Sequence, residues 1–161
     1  METTFQTKRI TTKLHSTYGQ FIDNLESTLT TLTREDFKDL PTDPEKTKAH
    51  LESIAGKQNL TILSSRPHGS LLSLIGIHSK ATTYELGNPL LVLTMTSNDI
   101  RVALYAPIRV LVYEDANQQA FAEYDLPSST LAQFQNDQVN RTADLLDVLF
   151  EKLIRQVDGK N

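Results

Sequence analysis

The chain has 161 residues, of which 39% are apolar and 22% charged, and a formal net charge of −4. That length suits one domain, residues 1–161, with a core that needs no disulfide or metal to hold it. The absence of cysteine excludes a disulfide framework, a thiol nucleophile and thiolate metal ligation, and the acidic balance argues against nucleic acid, which asks for a basic patch to replace phosphate counterions.

Residues 1–6 lack the apolar run of a secretory signal, and no run of about 18 apolar residues occurs anywhere in the chain. The expectation is a soluble, cytoplasmic protein with no membrane partner. Residues 7–14 alternate polar and apolar and predict a strand with one buried face. A helix follows. Thr17 and Gln20 fit a capping box, and Tyr18, Phe21, Ile22, Leu25, Leu29 and Leu32 fall at helical spacing on one apolar stripe. Thr42-Asp43-Pro44-Glu45 marks a second helix start with a cap, a proline in the first turn and an acid near the positive end of the dipole. Its apolar stripe is thin, so residues 43–57 read as a helical insertion on the outside of the fold.

Residues 59–65 predict a strand and 66–69 a turn. Residues 70–77, rich in Leu and Ile, fit either a strand or a buried loop. Residues 80–86 predict a strand, and Asn88-Pro89 then opens a short helix ending near Asn98-Asp99. Residues 102–114 predict an interior strand, with Ile108, Val110 and Val112 on one face and Arg109, Leu111 and Tyr113 on the other. Pro107 belongs near its start or at a bulge. Residues 119–124 return as a hairpin. A last helix runs over 138–156, with Val139, Ala143, Leu146, Leu149 and Leu153 on its buried side, widened by Leu145 and Phe150. The tail 158–161 is expected to fray. Two amphipathic helices on one face of an antiparallel sheet make a two-layer α+β domain with a long C-terminal helix.

Gly87-Asn88-Pro89, Thr94-Met95, Pro107, Leu111-Val112-Tyr113-Glu114-Asp115 and Tyr124, in that order, resemble the domain of unknown function family 302, most of all its fungal branch. His68-Gly69 sits where that family carries a histidine after its second strand. Residues 59–127 carry the likeness, and residues 7–33 share only the layout. Pro67 and Leu86 depart from the family pattern, which has a polar residue before the histidine and frequently an aromatic before Gly-Asn-Pro. The resemblance implies a TATA-binding-protein-like fold, β-α-β(4)-α, with a curved antiparallel sheet holding a long helix. It also implies frequent homodimers and no particular activity.

Four residues stand out as candidates for ligand contact. His68 has the chemistry of a general base or metal ligand, and equally of a turn histidine that caps a carbonyl. Asn88 opens a helix whose free N–H groups suit an anion, and the same three residues, Gly87 to Pro89, also make a plain capped turn. Glu85 lies in a strand and, turned inward, needs a partner such as Arg101 or Arg109. Tyr113 is one of several aromatics around the sheet. Glu114 and Asp115 fit the hairpin turn. The histidines His15, His50, His68 and His78 show no metal-ligand spacing, no phosphate loop or nucleophile elbow is present, and no cofactor is expected.

Three readings remain open. The first is a small-molecule-binding domain with a cleft between sheet and helix and His68, Glu85, Asn88 and Tyr113 near its mouth. The second is an acid/base enzyme using His68 with a carboxylate. The third is a homodimeric interaction module without a ligand, joined through a sheet edge or an apolar face, for which Leu71–Ile77 is the best candidate.

Overall fold

The computed structural model describes residues 2–159, so Lys160 and Asn161 of the tail expected to fray lie outside the described residues. Five strands, β1 (Arg9–Lys13), β2 (Thr61–Arg66), β3 (Ala81–Gly87), β4 (Ile108–Glu114) and β5 (Ala120–Asp125), form one open, uncurled antiparallel sheet in the order β1-β5-β4-β3-β2. Among the described residues six α-helices accompany it: α1 (Tyr18–Thr28), α2 (Pro44–Ala55), α3 (His68–Leu72), α4 (Pro89–Thr96), α5 (Pro127–Leu131) and α6 (Asp137–Val157). This is the α+β arrangement the sequence predicts, with the long helix last, although the sheet is uncurled where the family resemblance implies a curved one.

Local chemistry sets most helix starts. The Thr17 hydroxyl accepts from the Gln20 N–H at 3.3 Å while Gln20 Oε1 accepts from the Thr17 N–H at 3.0 Å, the reciprocal capping box. Asp43 caps α2 by accepting from Lys46 N at 3.0 Å, and Asn136 caps α6 through Gln138 N and Val139 N.

The sheet has two unlike faces because strand side chains alternate. Tyr84 and Leu86 on β3, Val110 and Val112 on β4, and Ala122 and Tyr124 on β5 point into one core with Phe21 and Leu25 of α1 and Phe150 and Leu153 of α6. Phe21, Leu25, Leu86, Val110, Val112 and Phe150 are 0% exposed. The expected cleft between sheet and helix is therefore not there: these large buried side chains occupy the space between the two layers. Among the described residues the other face of the sheet carries no helix layer, and most of its residues are half-buried or exposed.

Four expectations are corrected. Residues 70–77 are neither strand nor buried loop. They form the end of α3 and a 3₁₀ turn (Ser73–Ile75), and Leu71, Leu74, Ile75 and Ile77 are exposed. Residues 100–105 are a 3₁₀ helix rather than the start of β4, and Pro107 stands just before the strand. On α6, Leu145 faces solvent, while Thr142, Ile154 and Val157 join the buried side. Asp158 does not fray. Its carboxylate is 1% exposed, and Oδ1 accepts from the N–H groups of His15 and Ser16 at 2.7 and 2.9 Å. That contact ties the end of α6 to the turn ahead of α1.

Candidate functional site

The helix-free face of the sheet brings charged side chains into rows, because antiparallel register places every second residue of each strand side by side. Ser64, Glu85 and Arg109 are successive ladder partners across β2, β3 and β4. Arg9 stands opposite Asp125 across β1 and β5. A second row runs Arg66, Thr83, Leu111, Glu123 and Thr11, and a third Ala81, Tyr113, Phe121 and Lys13.

Most of these charges have partners. Glu85 accepts from the Ser64 hydroxyl at 2.7 Å and from Arg66 at 3.0 Å. The Ser64 hydrogen bond, then Arg66, hold its carboxyl below the usual carboxylate range against the opposing effect of burial. Arg9 donates to Asp125 at 3.0 Å and lies 3.5 Å from Glu123. Tyr113 stacks on Phe121 at 5.4 Å between ring centroids and donates to Glu123 at 3.3 Å. Burial, then the Glu123 charge, raises its hydroxyl pKa. Arg109 differs. It is exposed, it sits next to Glu85 in the ladder, and among the described residues it forms no ion pair.

A cavity of about 360 Å³ opens beside Arg109. Glu85, Arg109 and Asp125 supply its charged floor, and Leu104, Tyr105, Pro107 and Ile108 supply an apolar wall. A shallower depression of about 250 Å³ continues from Arg109 and Asp125 toward Arg9, Thr83 and Leu111.

Two other concavities have their charges engaged internally. One of about 890 Å³ lies between residues 69–80 and the β4–β5 turn. There Lys80 pairs with Glu114 at 3.0 Å, and Asp115 accepts from the N–H groups of Asn117 and Gln119. The other, about 320 Å³, lies beside α2, where His50 Nε2 is 2.9 Å from Asp36 Oδ1. That imidazole–carboxylate pair has no free hydroxyl beside it, since the Thr47 hydroxyl donates to the Asp43 carbonyl.

The four candidates from the sequence do not converge. Glu85 and Tyr113 share the open face but are four ladder positions apart, about 13 Å. Asn88 is 3% exposed, with its oxygen on Leu90 N and its amide nitrogen on Asn59. Its polar groups act as a cap and a loop tie. His68 is exposed at the start of α3, with no hydrogen-bond or ion-pair partner among the described residues. An acid/base reading that pairs His68 with a carboxylate therefore lacks its second group.

Sequence reasoning considered Arg109 only as a partner for Glu85. It missed Arg66 in that role, and it missed the Asp36–His50 pair. The alternation Arg109-Leu111-Tyr113 was the available signal that Arg109 itself stands unpaired, since it places a cation on a strand face with no acid at the next same-face position. Nothing local signals the second, because the turn holding Asp36 and the helix holding His50 meet only in the fold. Among the described residues no group of three or more His, Asp or Glu side chains could hold a metal ion, and no helix is long and apolar enough to cross a membrane.

Fold and surface together define a two-layer α+β domain with one filled core and one open, charge-patterned sheet face. The family model described as the domain of unknown function DUF302 matches residues 37–157, and the chain belongs to that family. Among solved structures it is similar to the crystal structure of the uncharacterized conserved protein DUF302 from Bacillus stearothermophilus. That likeness has a TM-score of 0.67 at 12% identity and covers 92% of this chain and 97% of that one. At that identity it speaks to the fold alone. Among curated proteins none matches.

Proposed function

We propose that this chain is a small-molecule-binding domain whose site lies on the open face of the sheet, over Glu85, Arg109 and Asp125, and not between sheet and helix. The observation that carries the reading is Arg109, an exposed guanidinium without an ion-pair partner among the described residues, set in a cavity beside an apolar wall. Arginine presents a rigid fork of donors that matches a planar anion, and a few polar groups against an apolar wall is the usual composition of a ligand pocket. Glu85 belongs to this site. Tyr113 lies further along the same face, and the surroundings of His68 and Asn88 give neither of them a part.

Native mass spectrometry of the protein purified under mild conditions tests the reading. The expected result is a reproducible low-mass adduct on the folded protein that is lost from Arg109→Gln. An adduct that persists unchanged in that variant places the ligand elsewhere. A bare spectrum that stays bare after incubation with a metabolite extract counts against a binding domain.

A second reading, an interaction module that forms homodimers, is favoured by one observation. Leu71, Leu74, Ile75 and Ile77 are 63%, 83%, 72% and 49% exposed within seven residues, and contiguous apolar surface of this kind marks contact sites. Sedimentation at micromolar concentration should then give a dimer that Leu74→Asp dissociates. A monomer across that range removes this reading and leaves the first untouched.

A further inference from the structure

We infer that the molecule bound over Arg109 is an α-amino acid with an apolar side chain, held as its zwitterion. The inference rests on the small-molecule reading of this cavity and narrows it to one chemical class.

Arg109 stands beside Glu85 in the β3–β4 ladder and shares the cavity floor with Asp125. Arg66 and Arg9 already offset the charges of Glu85 and Asp125, so an organic anion on the guanidinium meets no net repulsion, but it leaves the second oxygen of Asp125 without a donor. An organic amine would suit the carboxylates and be repelled by the arginine. A ligand with both signs on neighbouring atoms meets the floor on both counts, and an α-amino acid carries its ammonium and carboxylate on one carbon.

The hydrogen-bonding capacity left on the floor agrees. Glu85 already accepts from Ser64 and Arg66, so its contribution is mainly its field. Asp125 uses Oδ1 for Arg9, and among the described residues Oδ2 has no donor, which leaves an acceptor for an ammonium. Among the described residues Arg109 has no hydrogen-bond or ion-pair partner, which leaves its fork for a carboxylate.

The wall decides the rest of the ligand. Leu104 is 81% exposed, yet it lines this cavity with Tyr105 and Pro107. An apolar side chain above the charged floor would cover it, gaining the ordinary benefit of removing apolar surface from water. The volume, about 360 Å³, lies at the small end of ligand pockets and suits a single amino acid rather than a nucleotide cofactor.

The test uses the full chain, labelled with ¹⁵N, and three probes that share one apolar body: L-leucine, isocaproate, which lacks the amine, and isoamylamine, which lacks the carboxylate. L-leucine is expected to move the amides of Glu85, Arg109 and Asp125, with an affinity ~10-fold or more above either truncated probe, as expected when a polar site loses one of its partners. Arg109→Gln should bring leucine down to the level of isoamylamine, and Asp125→Asn should bring it down to that of isocaproate. Both positions are at the surface, so neither variant threatens the fold. If isocaproate or isoamylamine binds as well as leucine, the zwitterion inference fails while the small-molecule reading stands. If none of the three moves these amides, the amino-acid class is overturned, and the adduct experiment judges the broader reading independently. Movement of the same amides with protein concentration, in the absence of any probe, would give the face to a second copy of the chain and overturn the inference too.

Discussion

Asp36 shows how a surface carboxylate becomes tied to its state of ionisation. Its carboxyl accepts from the Thr33 N–H at 2.7 Å, the Thr33 hydroxyl at 2.9 Å and His50 Nε2 at 2.9 Å. The His50 hydrogen bond is the largest cause, followed by the two Thr33 donors, and together they lower its pKa from an ordinary 3.8 to about 2. The folded value lies below the unfolded one, so the ionised form is the one that folding favours. Its contribution to stability is complete above the ordinary value and fades as pH falls from 3.8 through about 2, where both states bind the proton. An NMR titration of the Asp36 carboxyl should give a midpoint near the lower value, and His50→Ala should move it up toward the ordinary one. A variant midpoint that stays where it was would assign the whole shift to Thr33. The same contact fastens the turn at 34–37 to α2 across fourteen residues of chain, so it also supports the wall of the cavity beside that helix.

At the scale of elements, α3 depends on a residue with no side chain. A Cβ built on Gly69 would lie 2.1 Å from the Ser79 carbonyl oxygen and 2.9 Å from the Ala81 nitrogen. Both are backbone atoms and cannot rotate away. Gly69→Ala must therefore push α3 off the start of β3, at a cost of about 1–3 kcal/mol, the usual range for overpacking. Amide exchange across residues 68–81 should accelerate in the variant while that of β4 and β5 stays as it was. An exchange pattern like the parent's would mean that α3 shifts at no cost.

The elements also show which parts of the fold could be read from the chain. Helix starts at Thr17, Asp43 and Asn88 were legible because a cap is a contact over two or three residues, and strands β1, β3 and β5 because alternation is local. Helix α1 was read too long. Leu29 and Leu32 continue its apolar spacing and are buried, but the threonine-rich stretch around them is stiff at χ1 and favours extended backbone. There Leu32 donates to the Ile62 carbonyl at 2.8 Å and Ile62 donates to the Thr30 carbonyl at 3.0 Å. Val102 and Tyr105 were misread as strand. In a 3₁₀ helix, positions three apart share a face, so those two turn inward while Leu104, between them, is left outside. The exposure of Leu71 to Ile77 had no local signature, since an apolar run looks the same whether it is covered or bare. The candidate site was half legible for a similar reason. Glu85 and Arg109 could each be placed on a strand, but their meeting in one row depends on the β3–β4 register.

At the scale of the molecule, one apolar cluster joins α1, α6 and all the strands from Leu14 to Val157. We propose on that basis that residues 1–161 behave as a single domain, with the 43–57 segment carried as an insertion. Phe150 is the residue to test it with. It is 0% exposed, it packs on Tyr124 at 5.5 Å between ring centroids, and it links α6 to β5 at the middle of the core. Phe150→Ala leaves a cavity that a sheet and a helix cannot both close, which costs about 3–5 kcal/mol. In a chain of this size that loss lowers the thermal midpoint by about 10 °C. A single cooperative domain would show this as one transition, shifted but not split, with the same midpoint by far-ultraviolet and near-ultraviolet circular dichroism. The open sheet face is built on the back of the same strands, so the binding proposed over Arg109 should vanish in that same transition. Two resolved transitions in the variant, with the sheet surviving the first, would mean that the sheet and α6 fold as separate units. The cavity beside Arg109 would then owe its shape to the strands and the 3₁₀ segment ahead of β4 alone.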